Sequence, residues 1–389
     1  MSFIKMKTAR IGFVAVFVVI MIFGLAMMGS VLSAKPKNVP VALVVLDQPV
    51  KLPDGSALAV GEMVKEKLKG IAELPVQWVE VGSEAELATQ LDEQKVYGAL
   101  VLPADLSSGI ASLQSPAPKP AAVRIVLNEG TNAQAVAAVR TILQQTVNTL
   151  GSQLAGQLLG QIGQHAQQIP VSAASALLHP FQVSEQIVHP AGSNNASGGA
   201  PNMLVQILWL ACMVSSAVMF LTAQQHGKNK RSLKGTVASQ LAVGLLLVTA
   251  ASAFLLWMAH SWYGMEFTHL GQTWLYLWLM AAAFFLVQTT LLNWIGLPSM
   301  IVLVLIFFFS MPVIGMPREF MPQVTVDWLY SWTPFRYAAA GLRSIMYFGG
   351  EGSLSQSLYV LAGMAVTGLI LIVLSVFKPR KAAEPSVSA

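Results

Sequence analysis

Six histidines, one cysteine and 18 carboxylates are the groups that could do chemistry in this 389-residue chain, and their spacing argues against most of it. No G-x-x-x-x-G-K-[ST] loop is present to cradle a nucleotide's phosphates. Neither H-E-x-x-H nor G-x-S-x-G occurs, so the zinc-peptidase and serine-hydrolase arrangements are missing too. His165, His179, His189, His226, His260 and His269 are scattered. His179-Pro180 and His189-Pro190 form a repeated dipeptide but, lacking Cys or carboxylate beside them, read as solvated turn residues rather than metal ligands. Cys212 lies alone in an apolar run and has no internal disulfide partner. The sequence therefore predicts no catalysis, no metal and no cofactor in this chain.

The chain that carries these residues reads as a membrane protein, and only Cys212 among them falls in one of its apolar stretches. Apolar residues make up 54% of the chain and charged residues 11%, against about a quarter charged in a soluble domain. A bilayer core about 30 Å thick needs roughly 20 apolar residues in a helix. Six stretches fit: residues 11–31, 203–222, 236–259, 273–292, 299–316 and 354–377, none holding Asp, Glu, Lys, Arg or His. Their polar side chains are uncharged. Gln206, Ser215, Ser216, Gln240, Gln288, Thr289 and Thr290 are candidates for a substrate pathway, the other reading being hydrogen bonds between helices. Proton or sodium coupling uses ionisable groups in the bilayer, so any uphill transport must be powered by a partner.

Basic residues set the orientation. Lys5, Lys7 and Arg10 precede the first span, Lys228, Lys230, Arg231 and Lys234 fill the second–third connection, and Lys378, Arg380 and Lys381 follow the last. Six crossings put all three clusters on the cytoplasmic side, with both termini. The net charge of +5 is thus a matter of topology and not a nucleic-acid signal. The first apolar run is longer than a typical signal sequence and reads as a retained anchor.

Residues 34–202 hold 13 of the 18 acidic residues and form the expected extracytoplasmic domain. Strands are expected at 41–46, 76–81, 97–102 and 123–127, helices at 59–69, from Ser83 (a capping box with Glu86) to 94, and after Pro103, with a turn at Asp54-Gly55. Alternating strands and helices predict a small α/β layer domain. Residues 131–168 form a long helix whose stripe (Val136, Val139, Leu143, Val147, Leu150, Leu154, Leu158, Ile162) packs on the sheet or on a second copy. Residues 192–199 read as a flexible hinge. The predicted fold is a polytopic α-helical membrane protein with six transmembrane helices and a small α/β extracytoplasmic domain between the first two. Its parts are residues 1–33 (N-terminus and first helix), 34–202, a five-helix transmembrane domain over 203–377, and a cytoplasmic tail, 378–389.

The last extracytoplasmic stretch, 317–353, is broken by Pro317, Pro322 and Pro334 and carries Trp328, Tyr330, Trp332 and Tyr337. Proline breaks and interfacial aromatics suit short helices dipping into the membrane face. Arg336 and Arg343, seven apart, share a helix face from which they reach lipid phosphates or carboxylates.

These features resemble a known family. Pro40-Val-Ala-Leu-Val-Val-Leu-Asp47, Asp54-Gly55, Gly61-Glu-Met-Val-Lys-Glu-Lys-Leu68, Trp78-Val-Glu-Val81, Glu84-Ala-Glu86 and Tyr97-Gly-Ala-Leu-Val-Leu-Pro103 resemble the extracytoplasmic start of the phage-infection-protein (YhgE/Pip) membrane proteins. Thr333-Pro-Phe-Arg-Tyr337 with Gly341-Leu-Arg343 resembles the segment before the last span in type-2 ABC transporter permeases, to which that family belongs. The resemblance implies a homodimer, or a pair with a homologous permease, that exports a substrate while a separate cytoplasmic ATPase hydrolyses ATP. The apolar walls with sparse hydroxyls and amides suit a lipid-like or amphiphilic substrate, helix packing being the other reading of the same residues. It places an ATPase-coupling loop at Gln224, His226, Lys228, Lys230, Arg231 and Lys234, and an outer re-entrant element at Pro317, Pro322, Trp328, Trp332, Pro334, Arg336, Tyr337 and Arg343. The alternative is a non-transporting membrane protein whose outer domain binds an envelope partner or serves as a phage attachment site. The partners expected are an ATPase, a second permease and membrane lipid, with no nucleic acid.

Overall fold

The computed structural model describes residues 35–51, 57–71, 74–113, 118–165, 178, 180–228 and 233–377, without the side chains of 161–165, 226–228 and 233. The expected first span, the Asp54-Gly55 turn, His179, Lys230, Arg231 and the tail lie outside the described residues. Two compact units form. One holds the chain up to Gly199 with Gly315–Trp328 and Tyr347–Gly352; the other holds Ala200–Ile314, Leu329–Met346 and the chain from Ser353.

The first unit is a three-layer α/β fold. In chain order it contains β1 (Val39–Val45), a two-strand hairpin of β2 (Val50–Lys51) and β3 (Ala57–Leu58), α1 (Val60–Gly70), β4 (Val76–Val81), α2 (Glu84–Asp92), β5 (Gly98–Leu102), α3 (Leu106–Ser112), β6 (Ala121–Asn128), α4 (Ala133–His165) and β7 (Phe181–Val188). The main sheet runs β4-β1-β5-β6-β7, and only the β5–β6 pair is antiparallel. Both faces of β1 are covered. Val39, Val41 and Leu43 enter a core with α1, α3 and α4, while Ala42 and Val44 face Leu87 and Leu91 of α2. Burial on both faces is why these strands read as unbroken apolar runs. Ser83 caps α2, its Oγ accepting from Glu86 N at 3.2 Å, and the Glu86 carboxylate returns to Gly82 N at 3.0 Å. From Val136 to Leu158 the stripe on α4 lies on its own sheet, with Val139 and Leu143 fully buried there.

Three features of this unit differ from expectation. β7 has no counterpart in the sequence reading, yet it pairs with β6 along its whole length. As the sheet's edge it is exposed on both faces and lacks the alternating burial that marks a strand. Residues 192–199, expected as a flexible hinge, carry a 3-10 turn at Ala196–Gly198, and the buried Asn195 donates to Ala191 O at 2.8 Å. Distant segments also belong here. The Tyr97 hydroxyl donates to the Glu319 carboxylate at 2.8 Å, Phe320 packs on the core, and the Phe348 ring lies 4.4 Å from that of His189.

The second unit is a helical bundle: α5 (Ala200–Lys228), α6 (Leu233–Ser261), α7 (Leu270–Ile295), α8 (Ser299–Gly315), α9 (Pro334–Tyr347) and α10 (Leu354–Leu374). Four described helices are long and apolar enough to cross a membrane, and α8 is shorter, with Pro312 inside it. The central element is α7, which packs against α5, α6 and α10. Glycines permit the closest approaches. A Cβ on Gly244 of α6 would lie 2.0 Å from Phe285 Cζ, and one on Gly368 of α10 would lie 3.0 Å from Leu286 Cβ.

Candidate functional site

The uncharged polar side chains of the bundle are turned toward one another. Gln288, fully buried on α7, donates to Trp209 O of α5 at 3.2 Å, while its carbonyl lies 3.5 Å from the Ser216 hydroxyl. Ser216 also donates to Phe285 O at 3.3 Å and accepts from Thr289 at 3.3 Å. Thr290 turns the other way, its hydroxyl 2.8 Å from Leu286 O and 3.0 Å from Gly368 O of α10. Gln240 of α6 and Asn293 of α7 form a reciprocal amide pair at 3.3 and 3.2 Å.

Of the pathway candidates, the structure thus joins Ser216, Gln288 and Thr289 in one cluster and sets Gln240 and Thr290 in separate pairs. Ser215 bonds to Ala211 O within its own helix, and Gln206 is half-buried on α5. The geometry ties helices together through groups that hydrocarbon would otherwise leave unsatisfied. No signal in the sequence foretold the aromatic cluster of Trp209, Phe284 and Phe335, whose ring centroids lie 4.7 to 5.7 Å apart. The cluster carries α9 into the bundle.

That helix begins at Pro334, a residue suited to the first helical position because its missing N–H has no partner to lose. The buried Ser310 and Thr333 hydroxyls meet at 2.7 Å just before it. Phe335, Ala338 and Leu342 form its buried face, and Arg336 and Tyr337 are half-buried beside them. The Tyr276 hydroxyl of α7 donates to Tyr337 O and Ala338 O at 3.1 and 3.2 Å, and Thr268 donates to Met346 O at 3.1 Å. These contacts run α9 antiparallel to α7. Arg343 donates to Asn202 at 3.4 Å, and Trp332 is 53% exposed. Pro317, Pro322 and Trp328 belong to the other unit. Pro317 and Pro322 open single turns, accepting from Phe320 N at 3.1 Å and Thr325 N at 2.9 Å.

The α5–α6 connection is described only at its edges. Gln224 and Lys234 are exposed, α5 runs through Lys228, and the side chains of His226 and Lys228 lie outside the described residues, as do Lys230 and Arg231.

Apolar helices of membrane-spanning length, joined by uncharged hydrogen bonds, define a membrane protein. The family model for ABC-2 family transporter proteins matches residues 11–377, nearly the whole chain, and the chain belongs to that family. Its members are the membrane components of ABC transporters, not the catalytic subunits. No curated protein and no solved structure matches this chain.

Proposed function

We propose that this chain is the permease half of an ABC-type exporter, akin to the phage-infection-protein (YhgE/Pip) group. In this reading it crosses the cytoplasmic membrane six times with both termini inside and residues 34–202 outside. It pairs with a second copy or a homologous permease, and a separate ATPase supplies the energy. The observation that carries the proposal is the family match over residues 11–377, joined to spans without a carboxylate or ammonium along their apolar length. Spans with no carboxylate, ammonium or imidazole along their apolar length have nothing there to titrate or to hold a coupling ion, so the power would come from a partner. The α5–α6 connection, with Gln224, His226, Lys228, Lys230, Arg231 and Lys234, is the basic surface an ATPase would grip. The α9 segment suits a re-entrant element, since it runs back along α7 and is anchored by Phe335. Apolar walls with sparse hydroxyls and amides suit an amphiphilic substrate.

The test is co-purification with candidate ATPase subunits and measurement of ATP hydrolysis in liposomes. Charge reversal at Lys228, Lys230 and Arg231 should lower recovery of the complex and its ATPase rate together, in a protein that still inserts correctly. Wild-type coupling in that variant removes the loop from the mechanism. Proton- or sodium-driven flux through the chain alone would overturn the proposal.

A further inference from the structure

Arg336 lies beside the second turn of α7, an apolar helix of membrane-spanning length. Because α9 runs antiparallel to α7, the level of Tyr276 is that of Tyr337 and Ala338. Tyr276 is six residues into α7, which at 1.5 Å per residue is about 9 Å along the helix axis. Arg336 lies one residue deeper on α9. A cation at that depth must reach the interface or find an anion.

Its neighbours supply shape but no charge. The guanidinium carbon lies 4.5 Å from the centroid of the Tyr330 ring and 4.2 Å from that of Tyr337, so the two rings flank it. Nη2 donates to the Tyr337 hydroxyl, while the buried Nε has no hydrogen-bond partner among the described residues. No carboxylate lies within ion-pair distance of Arg336 among the described residues. The bundle unit contains just one described carboxylate, Glu266, in the connection before α7. The charge is thus oriented by aromatic faces, with N–H groups left for an acceptor.

We propose that Arg336, between Tyr330 and Tyr337, binds the phosphodiester of an anionic phospholipid at the rim of the bundle. A planar guanidinium matches phosphate geometry, and aromatic faces hold that plane without competing for its N–H groups. The chemistry of the surroundings selects lipid. Trp332 is exposed beside it and Tyr330 half-buried, the pair of residue types that settles at headgroup level. No described carboxylate forms an ion pair with the cation, so an anionic headgroup fits it better than a zwitterionic one, which brings its own ammonium. The site stands whether or not the chain transports anything.

The experiment is native mass spectrometry of the full chain in detergent, titrated with phosphatidylglycerol, phosphatidylcholine or inorganic phosphate. Wild-type protein should retain phosphatidylglycerol in clear preference to phosphatidylcholine, and millimolar phosphate should not displace it. Arg336→Gln should weaken retention about tenfold, the loss expected for a charge-assisted hydrogen bond. Arg336→Lys, which keeps the charge but not the plane, should fall between. Wild-type retention in Arg336→Gln would overturn the proposal, and displacement by inorganic phosphate would overturn the lipid assignment. Thermal unfolding checks that the variants fold. Should Arg336→Gln not fold, equal retention of the two lipids by the wild type refutes the site without any variant.

Discussion

Asp47 should be the most sensitive polar residue of the α/β unit. Its carboxylate, at the end of β1, accepts from Gly61 N at 2.7 Å in the first turn of α1, and from Ser107 N at 2.7 Å and Ser107 Oγ at 2.6 Å in the first turn of α3. Ser107 in turn accepts from Val60 N at 2.8 Å. One side chain therefore caps two helices, where the amide dipoles favour negative charge. Gly61 and Ser107 are buried, so Asp47→Ala leaves two N–H groups without water to replace the lost acceptor. At about 1–3 kcal/mol for each of the two unsatisfied N–H groups the loss is about 2–6 kcal/mol, a large part of a domain's stability of roughly 5–15 kcal/mol. Asp47→Asn keeps the shape but turns one acceptor into a donor, and should cost less. The assay is hydrogen–deuterium exchange of the full chain in detergent, followed by mass spectrometry. Peptides covering α1 and α3 should exchange about 30-fold faster or more in Asp47→Ala, since 1.4 kcal/mol is a factor of ten. Protection of those peptides unchanged within about threefold would refute the claim that this carboxylate secures both helices.

Two further outcomes follow from packing and charge. Gly244→Val should destabilise the bundle by about 1–3 kcal/mol, because the new side chain meets the fully buried Phe285 ring; a lowered thermal midpoint in detergent, partly restored by adding Phe285→Leu, is the readout. Hydrogen bonds from Lys69 and Lys65 hold the Glu80 carboxyl below its ordinary value of 4.5, and Glu80 raises Lys65 above 10.5. A lowered carboxylate stabilises above its unfolded value and loses that contribution as pH falls through the folded one. The midpoint difference between wild type and Glu80→Gln should therefore be constant near neutrality and shrink below pH 4.5. A difference that stays constant as the pH falls below 4.5 would sink that assignment.

How much of this was legible depended on how local the signal is. The apolar runs of α5, α6, α7 and α10 announce themselves because lipid demands unbroken hydrocarbon, though the helices continue past the apolar count, α5 from Ala200 to Lys228. β1 and β5 were equally plain, since burial on both faces removes any ambiguity of period. β7 was not, because an exposed edge strand such as Gln182-Val-Ser-Glu-Gln186 looks like a loop. The incorporation of Glu319 and Phe348 into the α/β unit left no trace either, since both contacts join residues more than 150 positions apart. Of the pathway candidates, sequence supplied the residue types but not their partners. Ser216, Gln288 and Thr289 meet because α5 and α7 cross there, which no spacing within one helix reveals.

Those partners bear on how the bundle could move. Gln288, Thr289 and Thr290 are consecutive on α7, so their side chains fan out by about 100° per residue. The first two bond to α5 and the third to α10, while Asn293 a turn later bonds to Gln240 of α6. These four polar residues of α7 thus hold three neighbours at once and are spent in doing so. Parting α5 from α7 must break the Gln288–Trp209, Ser216–Phe285, Ser216–Gln288 and Thr289–Ser216 bonds, each worth about 0.6–2 kcal/mol in lipid. That cost is small enough for a bound partner to overcome and large enough to hold the helices together without one. A transport cycle in this bundle would then be a trade of hydrogen bonds around a fixed α7.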